Sequence, residues 1–217
     1  MEPINLYDFE SRAKSTVPHN VWDYISRGSQ DGIALKRNRS MLESIFLRPR
    51  FLRDVRKRNL STTILGETIK CPVMIAPASR QTMVHPDGEI ATARAAAASG
   101  TIMGLSTSST KSIEEVAQAA SGPLWFQLFH CGKEETTSLV RRAEDSGYKA
   151  ICLTVDTPIP SDKEMDIRNN WRTPAEAYPG NFLYKITSKA PSNLDSGISE
   201  GHHMRPPTIP LTFEQLP

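Results

Sequence analysis

Cysteine is scarce in this sequence and shows no pairing pattern. Cys71, Cys131 and Cys152 lie far apart with no C-x-x-C spacing, so no disulfide framework is expected and a reducing compartment is the default. Two of them sit inside apolar runs, where a thiol behaves as a small core hydrophobe. No apolar stretch approaches the ~20 residues of a membrane span. The N-terminal MEPINLYDFESRAK lacks the basic-then-apolar plan of a signal peptide, and the C-terminal FEQLP is not a peroxisomal S-K-L address. The expectation from these absences is a cytoplasmic protein. Charge is balanced too: the net value is +2 over 217 residues, with 23% charged and 38% hydrophobic residues. That gives no electrostatic case for nucleic acid or an anionic membrane. One local exception is the basic cluster Arg48, Arg50, Arg53, Arg56, Lys57 and Arg58, which reads as a solvated, ion-paired face. The alternative for it is an acidic partner.

What is present falls into three regions. In residues 1–61, an N-terminal helical extension is expected. Trp22, Tyr24 and Ile25, then Ile33, Leu35, Met41 and Leu42, recur at helical intervals between 5 and 47, with Gly28 and Gly32 breaking the run. In residues 62–156, TTIL and TIKC flank Gly66 and Glu67, a hairpin signal. Apolar runs then alternate with helical patterns: VMIAP (73–77), IMGLS (102–106), LWFQLF (124–129) and KAICLTVDT (149–157) are the strands. Ser112 and Glu115 have capping-box spacing, and Gly100, Gly122 and Gly147 stand where glycines end helices. In residues 157–217, nine of the sixteen prolines gather without clear periodicity, as in a loop or lid with an irregular tail. Thr212 and Gln215 repeat the capping-box spacing near its end.

Near-continuous apolar strands alternating with helices indicate parallel strands covered by helices. The first strand–helix turn, APASRQTMVHPDGE, has no G-x-G-x-x-G, which argues against a dinucleotide-binding unit. The architecture expected is therefore α/β, a partial (β/α)8 barrel of about four βα units. Barrels gather functional groups where strands end. Ser79, Ser106, Gln127, and Thr154 with Asp156 stand at four successive strand ends. They could form a ring of hydrogen-bonding partners for one flat polar ligand, or could satisfy nearby backbone groups.

The stretches DYISRGSQDGIALKRNR (23–39), LRPRFLRDV (47–55), TTILGETIKCPVMIAP (62–77), HPDGEIATARAAAASG (85–100), FQLF (126–129) and LTVDTP (153–158) run in an order and spacing similar to a known family. The chain resembles the N-terminal half of the FMN-dependent 2-hydroxy acid oxidases and dehydrogenases, which include glycolate oxidase, lactate oxidase and flavocytochrome b2. The resemblance implies FMN at the C-terminal rim of a (β/α)8 barrel and oxidation of a small 2-hydroxy acid to a 2-oxo acid. It makes Tyr24 the tyrosine that touches the substrate carboxylate. Pro77, Ala78 and Ser79 occupy the segment whose backbone lies against the flavin ring, and Ser106, Gln127 and Thr154 match flavin hydrogen-bonding residues.

The chain also departs from that pattern. Phe129 stands where the family carries a substrate-facing tyrosine. The family's strand exit, roughly L-T-V-D-T-P-x-x-G-R-R-E-A-D, reads LTVDTPIPSDKEMD here. Ser161 replaces the glycine, Asp162 the first arginine and Lys163 the second. Lys163 keeps the charge near the substrate without the bidentate fork. The family's catalytic histidine with its aspartate, a carboxylate-binding arginine, a flavin-side lysine and the phosphate-binding loops follow later strands. No residue here matches them. His19, His85, His130, His202 and His203 are expected in structural or solvated roles, and the His202–His203 pair has no second ligand cluster to make a metal site. The expectation is a truncated or incomplete member that does not turn over alone, with a second chain or a homo-oligomer supplying cover. Two alternatives are a non-catalytic half-barrel subunit and an altered flavin-dependent oxidation of a non-carboxylate biosynthetic substrate.

Overall fold

In the computed structural model, which describes residues 2–156 and 161–182, Asn5 opens the first helix. Its side chain accepts from the backbone N–H groups of Tyr7 and Asp8, and the Asp8 carboxylate accepts from the Asn5 N–H in return. This reciprocal cap satisfies donors that a helix start leaves unpaired. Helix α1 (Leu6–Thr16) stops before Pro18, α2 (His19–Ser26) follows, and Gly32 at φ 66° precedes α3 (Ile33–Glu43). The run expected to break at the two glycines thus breaks once more, at the extended Val17 ahead of Pro18.

The described residues form two units, 2–59 with 161–172 and 60–156 with 173–182. In the first, α7 (Glu164–Arg168) joins α2, and the Arg39 guanidinium of α3 sits 4.2 Å from the centre of the Tyr7 ring of α1. The basic cluster is exposed. Within it Arg56 makes a two-pronged ion pair with Asp54 at 2.9–3.2 Å. Such solvent-exposed, salt-screened pairs contribute little to stability.

The second unit starts with a hairpin, β1 (Thr62–Ile64) against β2 (Glu67–Ile69). Ile64 pairs with Glu67, so the turn residues are Leu65 and Gly66, at φ 47° and 85°. Two positive φ angles match the twist of the flanking strands. The turn lies one residue earlier than Gly66–Glu67, because Glu67 is needed in the ladder.

Three parallel strands follow in the order β3 (Met103–Ser106), β4 (Leu124–Leu128), β5 (Ala150–Leu153). The 73–77 segment, expected as a full strand, joins them by one bridge, Ile75 to Met103. The Ile75 N–H donates to Ile102 O at 3.0 Å and its carbonyl accepts from Gly104 N at 2.8 Å. Helices α4 (Gly88–Ser99), α5 (Ile113–Ala119) and α6 (Lys133–Asp145) are interleaved with the strands. Ser112 and Glu115 make the expected capping box at α5.

The register sorts side chains by face. Met103, Leu105, Phe126 and Leu128 are buried in one cluster with Ile113, Val116, Leu139 and Ala143. Complete burial of a side chain such as Phe126 or Leu139 contributes about 1.5–3 kcal/mol. By the period of two, Gly104, Ser106, Gln127, Cys152 and Thr154 belong to the opposite face. Gly100 (φ 69°) and Gly147 (φ 81°) end their helices as expected. Gly122 does not: a Cβ there would come 2.9 Å from Ala97 Cα. Its role is close approach of two chain segments.

Among the described residues this is an α/β arrangement with an open parallel sheet, and no closed barrel is formed. No helix among them is long and apolar enough to cross a membrane. The region read as irregular opens with ordered structure, α7 and short 3-10 turns at Ala175–Ala177 and Gly180–Phe182. Asn181 is fully buried there, accepting from Ile113 N at 2.9 Å and donating to Thr107 O at 3.0 Å. The His202–His203 pair and the Thr212–Gln215 spacing lie outside the described residues.

Candidate active site

Three of the polar residues expected at the strand ends, Ser106, Gln127 and Thr154, meet in the second unit, whereas Asp156 is exposed. Ser106 ends β3 and pairs in register with Gln127 of β4, and Thr154 directly follows β5. The Ser106 hydroxyl donates to Gln127 Oε1 at 3.2 Å, and Gln127 Nε2 donates to Thr154 Oγ1 at 2.8 Å. A second donor to Gln127 Oε1 is the Thr107 N–H, also at 3.2 Å. Ser106 and Gln127 are buried, and Thr154 is half-buried. The amide orientation is therefore specified from both ends. Gln127 retains one amide proton, and Thr154, having accepted, can still donate.

Thr107 fastens this row. Its hydroxyl donates to the Gln127 carbonyl at 2.6 Å and accepts from Phe129 N at 3.1 Å. It is fully buried. Sequence reasoning missed it, although a hydroxyl directly after a strand-end serine was the available signal.

Pro77 and Ala78 are exposed and Ser79 is half-buried. The segment lies tightly on β3, since a Cβ on Gly104 would come 3.1 Å from Pro77 Cδ. Beyond it the buried Glu89 carboxylate accepts from the N–H groups of Gln81, Thr110 and Lys111, and from the Thr110 hydroxyl at 2.6 Å. This carboxylate organises the loops after both the 73–77 segment and β3. Partial burial pushes the thiol of Cys152, the register partner of Gln127, up from its ordinary pKa.

In the first unit, the two residues expected to hold a carboxylate come together. Lys163 Nζ lies 4.3 Å from the Tyr24 ring centre and 3.4 Å from the Tyr24 carbonyl oxygen. Trp171, absent from the sequence-based set, stacks on Tyr24 with centroids 4.6 Å apart and planes 14° apart. Asp23, 1% exposed, accepts from Asn169 Nδ2 at 2.9 Å and faces His19 at 3.3 Å and Arg27 at 3.5 Å. The Asn169 amide, with help from His19 and Arg27, holds the Asp23 carboxyl below its ordinary pKa against the opposing effect of burial. Phe129 is half-buried after β4, and His130 Nδ1 is buried with no hydrogen-bond partner among the described residues. His19 is an exposed partner of Asp23, and His85 Nδ1 accepts from Asp87 N. Among the described residues no three His, Cys, Asp or Glu gather as metal ligands.

The FMN-dependent dehydrogenase family model matches residues 13–205. Glycolate oxidase 3 of Oryza sativa is 45% identical over 196 residues, which cover 90% of this chain and 53% of that protein. L-lactate oxidase of Nostoc is 45% identical over 203 residues, covering 91% and 54%. In structure, mandelate oxidase with 3,3-difluoro-2-hydroxy-3-phenylpropionic acid has a TM-score of 0.80 at 36% identity, covering 83% of this chain and 54% of that one. The (S)-mandelate dehydrogenase of Pseudomonas putida, as a soluble mutant, gives 0.80 at 32% identity, covering 83% and 52%. The chain spans about half the length of the relatives it matches. It belongs to the FMN-dependent dehydrogenase family.

Proposed function

We propose that this chain supplies the flavin-ring side and part of the carboxylate side of an enzyme oxidising a small 2-hydroxy acid to a 2-oxo acid. The carrying observation is the buried Gln127 amide, fixed between the Ser106 hydroxyl and the Thr154 hydroxyl across three strand ends. A ring edge that alternates donors and acceptors suits neutral groups able to act as both. The set therefore fits an isoalloxazine. Ser106, Gln127 and Thr154 would hold the ring edge, and the backbone of Pro77, Ala78 and Ser79 would lie against its face. Bound FMN supplies hydride acceptance, and the protein's hydrogen bonds tune that capacity. On this reading the 73–77 segment, β3, β4 and β5 are four consecutive staves of a (β/α)8 barrel.

Tyr24 and Lys163 bind the substrate carboxylate, the hydroxyl by a directed hydrogen bond and the ammonium by charge. Removal of the hydroxyl proton needs a positioned base. His19, His85 and His130 do not match the family's catalytic histidine. The chain alone is accordingly expected to show no turnover. The test joins the full chain to the part of a glycolate oxidase that the chain does not match. Anaerobic bleaching of bound flavin by glycolate or L-lactate is the expected result; a fusion that binds flavin yet never bleaches contradicts the reading.

A second reading, a non-catalytic subunit, rests on β5. Ile151 and Leu153 are each 40% exposed, whereas their register partners Phe126 and Leu128 are buried. Uncovered apolar side chains on an edge strand favour assembly with a second copy or another chain. Sedimentation decides it: a stable monomer at low micromolar concentration counts against it.

A further inference from the structure

The C-terminus of α7 is built to present Trp171. Asn170 N donates to Ile167 O at 3.1 Å and Trp171 N donates to Asp166 O at 2.8 Å. With Asn170 at φ 45°, this is a helix end in which the left-handed position is filled by asparagine instead of glycine, and the following apolar residue turns inward. Trp171 is 9% exposed. The neighbouring Asn169 spends its amide on Asp23, the residue before Tyr24, at 2.9 Å. The helix end is thus tied to α2 twice, by a hydrogen bond beside Tyr24 and by the stack on the Tyr24 ring.

We infer that Trp171 is a positioning residue for carboxylate recognition: its indole face fixes the plane of the Tyr24 ring, and so aims the Tyr24 hydroxyl. This rests on the proposed carboxylate role of Tyr24 and Lys163. A tyrosine ring turns about two side-chain torsions, and its hydroxyl is useful only in one orientation. The stack at 4.6 Å and 14° holds that orientation from the ring face, with the Lys163 ammonium 4.3 Å from the ring centre. Such aromatic and cation–ring contacts are individually modest but directional. The indole Nε1 is buried with no hydrogen-bond partner among the described residues, so Trp171 acts through its ring and not through its N–H. Phenylalanine should therefore substitute, and an aliphatic side chain should not.

The experiment is calorimetric titration of the full chain with oxalate, a carboxylate carrying a vicinal oxygen. Tyr24→Phe is expected to weaken binding roughly tenfold, the effect of losing a hydrogen bond to a charged group. Trp171→Leu is expected to weaken it about fivefold, and Trp171→Phe to stay within about twofold of the parent. The Tyr24→Phe/Trp171→Leu double variant should bind no worse than Tyr24→Phe, because both changes remove one contribution. Parental affinity in Trp171→Leu, or losses that add in full, overturn the Trp171 role while leaving Tyr24's intact. A parent chain that binds oxalate no better than Tyr24→Phe removes the carboxylate reading and this inference together. If Trp171→Leu does not fold, the ¹⁵N-labelled parent supplies the answer. The Trp171 indole N–H resonance should shift and saturate with oxalate while that of Trp125 stays fixed; an unmoved Trp171 overturns the inference.

Discussion

The Lys163 ammonium rests 4.3 Å from the centre of the Tyr24 ring, bringing together residues 139 positions apart. A lysine has no fork with which to grip a carboxylate, so its contribution is a point charge beside a directed hydroxyl. Lys163→Met is expected to lower affinity for a small carboxylate about tenfold, measured by calorimetry with oxalate. The parent's advantage should shrink as salt rises, since a partly exposed charge is screened over about 10 Å at 0.1 M. An advantage unchanged at high salt would mean that Lys163 acts by packing.

A pH dependence is set by Glu114 and Arg142, which join α5 to α6. Arg142 Nε and Nη2 donate to the two Glu114 carboxylate oxygens at 2.7 and 2.9 Å, and this pair lowers the Glu114 pKa from 4.5 to about 2. A depressed folded-state pKa stabilises the fold fully above the unfolded value and progressively less as pH falls toward the folded one. The gap in melting temperature between the parent and Glu114→Gln should therefore be widest above pH 5 and close between about pH 4.5 and pH 2. Partial exposure keeps the effect small, on the order of 1 kcal/mol. A gap constant down to pH 2 would contradict this assignment.

Gly180 offers a steric test of the segment that follows α7. A Cβ there would lie 2.4 Å from the Thr110 carbonyl oxygen and 3.0 Å from Ser112 N, while Gly180 N donates to Ser109 O at 2.9 Å. Backbone atoms cannot yield as a flexible side chain would. Gly180→Ala is expected to destabilise the chain by about 1–3 kcal/mol, read as a lower urea midpoint with an unchanged slope. An unchanged midpoint would show that residues 180–182 do not dock as described.

Much of this was legible because it is local. The Ser112–Glu115 cap, the helix-ending Gly100 and Gly147, and the alternation that puts Ser106 and Gln127 on one strand face are all short-range patterns. What escaped was long-range. Gly122 was read as a helix end because its spacing fits one, yet its need is an approach to Ala97. Asn181 sits among prolines with no periodic pattern, and only its docking between Ile113 and Thr107 gives it meaning. Trp171 gave no signal beyond an apolar residue after two asparagines. Its stack on Tyr24 depends on a helix end that asparagine, not glycine, turns left-handed.

The central claim is that Gln127, held between Ser106 and Thr154, recognises the flavin ring. It is tested most directly by titrating the chain with lumiflavin and with FMN and following flavin fluorescence, in the parent and in Gln127→Leu. Similar affinity is expected for the two flavins, because the residues proposed to bind them would all face the ring. A loss of roughly tenfold is expected for both in Gln127→Leu, the effect of removing a fixed amide from a buried hydrogen-bonded row. Equal affinities in the parent and Gln127→Leu would contradict the claim.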